Sequence, residues 1–149
     1  MKPRQRVALT MALLGLVVTG PTLKAGEPTI NPTGRWKVIL LSTNAQARPA
    51  PQTLKLKLDS GTLTGTLSYY SGPVVNGKAP VSELPITAAR IQGNGISFRF
   101  THPPAYGKGP NANYTYQGKI SGNTIKGTVT TEWMEHTSTK DWQAERLKE

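Results

Sequence analysis

Leu54-Lys55-Leu56-Lys57-Leu58-Asp59-Ser60-Gly61-Thr62-Leu63-Thr64-Gly65-Thr66-Leu67 is the stretch from which the fold can be read. Leu54, Leu56 and Leu58 alternate with lysines, and Leu63, Gly65, Leu67 and Tyr69 alternate with Thr64, Thr66 and Ser68. A period of two is that of a half-buried strand. Between the two runs stands Asp59-Ser60-Gly61-Thr62, a glycine-bearing tight turn, so the stretch reads as a β-hairpin. It returns, with one residue inserted, as Ser121-Gly122-Asn123-Thr124-Ile125-Lys126-Gly127-Thr128-Val129. Gly65 and Gly127 both fall on the apolar face, where a missing side chain lets a strand bend or another backbone approach, as at the corners of a small barrel.

Outward from these hairpins the same period recurs. Trp36, Val38 and Leu40 share one face of a first strand; Ile86 to Gln92 is a weaker fourth, and Gln92-Gly93-Asn94-Gly95 turns it into Ile96, Phe98 and Phe100. Tyr114, Tyr116 and Ile120 mark a sixth, Ile125, Val129 and Trp133 a seventh, and Trp142 with Ala144 and Arg146 the last. The expected fold is all-β, an eight-stranded antiparallel up-and-down meander closed into a small soluble barrel. A β-sandwich shares the same periodicity, but an open sheet leaves two edges exposed and a barrel leaves none. A membrane barrel needs strands of ~9–11 residues with an outward apolar band. Most of these runs are shorter, and their second face carries Lys55, Lys57, Arg99, Gln117, Lys119 and Lys126.

Lys2, Arg4 and Arg6 precede an almost wholly apolar run from Val7 to Val18, broken by Thr19-Gly20-Pro21 ahead of Ala25 and Gly26. Residues 1–25 read as a secretory signal peptide, residues 26–33 as an extended lead-in, and residues 34–149 as one domain. The expected location is therefore exported, periplasmic or secreted. The chain has no cysteine, so packing and ladder closure must hold it without disulfides. Its 18 Lys and Arg face 8 Asp and Glu; without Lys2, Arg4, Arg6 and Lys24 the balance is 14 against 8, a net of +6. The remaining cations are dispersed rather than clustered, which argues against nucleic acid and leaves an anionic envelope polymer as a partner.

Catalytic patterns are missing. The two histidines, His102 and His136, belong to no triad or H-x-x-x-H spacing. Glu132 and Glu135 point to opposite faces of an extended segment, so neither an acid–base pair nor a metal site is expected, and no cofactor or enzymatic activity is called for. In an up-and-down meander the tight turns lie at one end and the longer connections, at Ser42 to Gln52, Ser71 to Pro85, Pro103 to Asn113 and Met134 to Thr139, at the other. Long loops on a rigid scaffold commonly carry binding. Tyr69, Tyr70, His102, Tyr106, Tyr114, Trp133 and His136 stand around that end and form the candidate ligand site, suited to a small amphipathic or carbohydrate-like ligand.

Gly34-Arg35-Trp36 resembles the G-x-W signature of lipocalins and their avidin-type relatives, the calycins. The resemblance implies a β-barrel whose floor is closed by Trp36, with an arginine late in the chain, here Arg146, packed across it. The T-D-Y loop signature of lipocalins is absent. Nearly all of the chain after residue 25 is also similar to small secreted bacterial domains that begin G-x-W-x and end D-W-x-A-x-R, here Asp141-Trp142-Gln143-Ala144-Glu145-Arg146. Two functions are therefore expected in order: an exported, non-catalytic binding module with its ligand at the mouth, or a structural protein of the cell envelope with a filled core and a basic adhesive surface.

Overall fold

The computed structural model describes residues 30–41, 51–104 and 107–148. The signal-peptide reading, the first part of the lead-in, most of the connection from Ser42 to Gln52 and the candidate Tyr106 lie outside them.

Nine antiparallel strands form one sheet: β1 (Gly34–Leu40), β2 (Gln52–Asp59), β3 (Thr62–Tyr70), β4 (Val81–Pro85), β5 (Thr87–Gln92), β6 (Gly95–His102), β7 (Ala112–Ser121), β8 (Thr124–Trp133) and β9 (His136–Arg146). Their order is β4-β3-β2-β1-β9-β8-β7-β6-β5. The first and last strands pair, Trp36 opposite Arg146 and Leu40 opposite Trp142. The two ends of the sheet, β4 and β5, are consecutive in the chain with only Ile86 between them. That residue makes the closure: its N–H donates to the Gly65 carbonyl, 3.0 Å away, and β5 packs against β3. The result is an all-β, up-and-down, nearly closed barrel, compatible with a calycin-like fold.

The expected count of eight becomes nine because the predicted fourth strand begins earlier and is interrupted. Val81–Pro85 pairs with β3 and Thr87–Gln92 with β6, so one length of chain crosses from one edge of the sheet to the other. A bulge between Thr87 and Arg90 accompanies the crossing, with Ala88 at φ 48°. Such bulges bend a strand and sharpen its twist.

The apolar faces meet inside. Trp36, Val38, Leu54, Leu67, Phe98, Phe100, Tyr116, Ile120, Ile125, Val129, Trp142 and Ala144 are all at most 2% exposed. Gly118 and Gly127 face each other across β7 and β8, and Gly127 is also opposite Trp142. A Cβ on Gly127 would fall on the Gln117 carbonyl, and one on Gly118 would stand 3.1 Å from the Trp142 ring. The two missing side chains let the indole lie against the strands, where its Nε1–H donates to the Gln117 and Thr128 carbonyls at 2.9 and 3.1 Å. Gly65 has the matching position on β3, where a Cβ would fall on the Lys55 carbonyl.

At the floor the turn after β2 takes positive φ at Ser60 and Gly61 (47° and 81°) and the turn after β7 at Gly122 (58°), geometries that suit the right-handed twist of a hairpin. The other end departs from expectation. Met134 to Thr139 is not a long loop: β8 and β9 are joined by Met134 and Glu135 alone, with Trp133 opposite His136. Past Leu40, where β1 ends, the β8–β9 hairpin continues as a ribbon whose residues 132–140 are all exposed. Strands β7, β8 and β9, of 10, 10 and 11 residues, thereby exceed the lengths expected from sequence. Lys55, Lys57, Arg99, Gln117, Lys119 and Lys126 are exposed on the outward face, where a membrane barrel presents an apolar band. Among the described residues no helix is long and apolar enough to cross a membrane.

Candidate functional site

The barrel has two chemically distinct ends. At the floor, Trp36 is fully buried and donates its Nε1–H to the Pro32 carbonyl at 2.9 Å. The Arg146 guanidinium lies over the indole, 4.2 Å from its centroid, and donates to the Thr33 and Asn31 carbonyls, the latter at 3.0 Å. Gly34 lies against the same guanidinium. A cation over an indole face gains ~0.5–2 kcal/mol. Here it also satisfies two backbone carbonyls, so the end of the lead-in is strapped across the floor, with Pro32 buried and Ile30 packed on the core. The indole is thereby covered by the guanidinium on one side and held by the lead-in.

From the middle of the core a column of rings climbs toward the mouth. Trp142 meets Tyr116 edge-on at 5.2 Å, Tyr116 stacks on Phe98 at 4.7 Å and on Tyr114 at 6.5 Å, and Phe100 lies 6.3 Å from Tyr114. Phe100 then leads to Tyr69 and His102, which pack edge to face at 4.7 Å. Aromatic pairs of this kind contribute ~0.5–1.5 kcal/mol beyond the area they bury. Burial pushes the Tyr116 phenol far above its usual range, with Tyr114 adding to the effect, and burial raises Tyr114 as well. The phenols of the lower column are therefore neutral at ordinary pH.

Its upper end is open. A cavity of about 390 Å³ lies between the β3–β4 and β6–β7 connections, lined by Tyr69, Tyr70, Pro73, His102, Pro103 and Pro104 with Ser71, Gly72 and Gly107. Pockets for small molecules are commonly ~300–1,000 Å³. His102 Nδ1 lies 2.6 Å from the Pro103 carbonyl; a carbonyl only accepts, so this contact calls for a proton on Nδ1 and leaves Nε2 outside it.

The structure divides the candidates. Tyr69, Tyr70 and His102 line the cavity together. Tyr114 is half-buried in the column beneath Phe100 and outside the lining. Trp133 and His136 flank the ribbon turn on the far side of the barrel, two strands and one strand from β1. Strand register nevertheless gives them something in common. Tyr69, His102, Tyr114, Trp133 and His136 all occupy the inward parity of their strands, continuing Leu67, Phe100, Tyr116, Val129 and Trp142. Trp133 and His136 therefore share the inward-parity face of the ribbon, with Trp133 47% exposed. Tyr70 has the opposite parity.

Two features were missed in the sequence. Gln52 occupies the inward parity at the mouth end of β2, opposite Val38, and its Oε1 is buried without a hydrogen-bond partner among the described residues. A polar residue one step beyond Leu54 in an alternating run was the available signal. The second is the distribution of exposed apolar side chains: Leu41, Tyr70, Val74, Val75, Val81, Trp133 and Met134 all stand at the mouth, and among the described residues none of the exposed large hydrophobics is at the floor. Among the described residues no cluster of three or more His, Cys, Asp or Glu is placed to hold a metal ion.

No protein-family model, curated protein or solved structure matches this chain.

Proposed function

We propose that the protein is an exported, lipocalin-like binding module, not an enzyme, that takes a small amphipathic or carbohydrate-like ligand at the loop-rich mouth. The observation that carries this reading is the opening of the aromatic column, at Tyr69 and His102, into the mouth cavity. Flat faces from Tyr69, Pro103 and Pro104 offer contact area, while His102 Nε2 and the Tyr70 hydroxyl offer polar tips, the combination that orients a ligand with one apolar side. Exposed apolar side chains gathered at the same end favour an amphipathic ligand, since patches of this kind mark binding sites.

Intrinsic fluorescence tests it cleanly. Trp36 and Trp142 are at most 1% exposed and Trp133 is 47% exposed, so changes in quenching by a soluble quencher on ligand addition report Trp133. Native mass spectrometry of protein purified from its own host should show a dissociable extra mass. The class of compound so released should change Trp133 quenching on readdition, and Tyr69→Ala with His102→Ala should abolish the change. A bare chain mass, under conditions that preserve a control lipocalin's ligand, would refute the reading.

A further inference from the structure

On the outside of the barrel, far from the mouth, the cross-strand register lays out two rows of side chains. One row runs Arg90, Ser97, Gln117, Thr128, and ends at Asp141; the other runs Gln92, Gly95, Lys119, Lys126, and ends at Gln143. Between β5 and β8 these rows line a shallow, largely open groove of about 600 Å³, floored where Gly118 faces Gly127. With strands ~4.8 Å apart, the groove is roughly 14 Å across.

Its electrostatics are unbalanced in a specific way. Lys119 and Lys126 are directly opposite each other, an arrangement that destabilises a sheet. The described ion pairs, Lys55 with Glu83 and Lys57 with Asp59, are elsewhere, and no carboxylate lines the groove. The nearest acids by register, Asp141 and Glu145, lie diagonally across from Lys126 on the same face, but neither forms an ion pair with it among the described residues. Arg90, in the neighbouring row and two strands from Lys119, adds a third cation, and its planar fork suits a carboxylate.

We infer that this groove is a second binding site, for an acidic polysaccharide whose uronate carboxylates are taken by Lys119, Lys126 and Arg90 and whose hydroxyls are taken by Gln92, Ser97, Gln117 and Thr128. Neutral hydrogen-bonding groups set beside the cations in both rows match a chain that carries hydroxyls as well as carboxylates. Other polyanions fit less well. Single-stranded nucleic acid needs aromatic platforms, and the groove has none. A lipid surface needs an apolar anchor, and the only apolar side chain in the lining, Ile96, is 3% exposed. The inference is independent of the mouth: it stands or falls without Tyr69 and His102.

The test is titration of the purified chain with a short oligogalacturonate at low salt, followed by calorimetry and amide chemical shifts. The expected result is salt-sensitive binding with shifts on β5 to β8, weakened about fivefold by Lys119→Gln or Lys126→Gln, as expected for a cation worth ~1 kcal/mol beside an anionic surface. Neither substitution should lower the thermal midpoint, because each relieves the opposed pair; a midpoint that rises supports the same geometry. Charge-matched Lys78→Gln and Lys148→Gln should bind like the parent. Absence of binding overturns the inference. So does equal weakening by the charge-matched variants, which would mean diffuse attraction. Tighter binding of polyglutamate, polyphosphate or anionic vesicles than of oligogalacturonate overturns the assignment to a polysaccharide.

Discussion

Alanine at Gly127 would put a methyl group on the Gln117 carbonyl oxygen and against the Gly118 backbone. Neither obstacle is the end of a flexible side chain, so β7 and β8 must separate. Overpacking of this kind costs ~1–3 kcal/mol. Separation also draws the Gln117 and Thr128 carbonyls away from the Trp142 Nε1–H, now at 2.9 and 3.1 Å, at about 1 kcal/mol for each bond lost. Against these losses, alanine in a strand gains ~0.5–1 kcal/mol over glycine. The net expectation is a destabilisation of about 3 kcal/mol, or roughly 10 °C in thermal midpoint for a domain of this size. Gly122→Ala is the contrast: its φ is +58° and nothing lies within 4 Å of the added atom, so it should lose only ~1 kcal/mol of backbone strain. Far-ultraviolet dichroism gives the midpoints, and near-ultraviolet bands report whether Trp142 has been displaced. A Gly127→Ala chain as stable as the parent would refute the close packing of β7, β8 and Trp142, and with it the reading of the paired glycines.

Trp36→Ala should lose ~3–5 kcal/mol by opening a cavity at the floor, and a double-mutant cycle with Arg146→Gln should return a coupling of ~0.5–2 kcal/mol; additive effects in urea denaturation would contradict the stacking. Tyr116 and Tyr114 have raised folded-state values, so their contribution is complete below the unfolded tyrosine value of about 10 and is lost as pH climbs through the folded values. Stability should therefore fall above about pH 10, and Tyr116→Phe should move the alkaline transition upward, which pH-jump fluorescence would show; an unmoved transition would contradict burial of the phenol. Met134 has φ 53° at the first central position of its turn, where glycine is preferred. Met134→Gly should raise stability by about 0.5–1 kcal/mol, strain relief less the entropy of glycine, and a lowered midpoint would show that the methionine holds the ribbon.

How much of this was legible from sequence varied with burial. Alternation in Leu54 to Leu67 and Ile96 to Phe100 exposes period two because one face of each strand is buried and the other wet. From His136 to Lys140 both faces of β9 are exposed, so no alternation exists to be read, and Met134-Glu135 lacks the Gly or Asn that announces a hairpin. Val81–Pro85 was hidden by its terminal proline, which lowers the expectation of a strand. The candidate site was partly legible for a related reason. Tyr69, His102, Tyr114, Trp133 and His136 continue inward-facing runs, so their shared parity was implicit in the spacing. Which of them meet was not, because that depends on β4 and β5 carrying the chain around the barrel to place β3 beside β6. The outer groove was invisible as a site. Arg90, Lys119 and Lys126 are scattered along 37 residues, and only the register makes them neighbours.

Arg146 pairs with Trp36, and the Leu147 N–H donates to the Arg35 carbonyl at 2.8 Å, so the chain enters and leaves the barrel side by side at the floor. Anything that holds the molecule by either end grips it from beneath and turns the cavity outward, away from the attachment. A short peptide joining residues 30 and 148 would cross only the floor, which makes the barrel a natural subject for circular permutation: new ends cut into the β3–β4 connection should leave the seam between β1 and β9 intact, whereas a cut at Ile86 would sever the one residue that closes the ring.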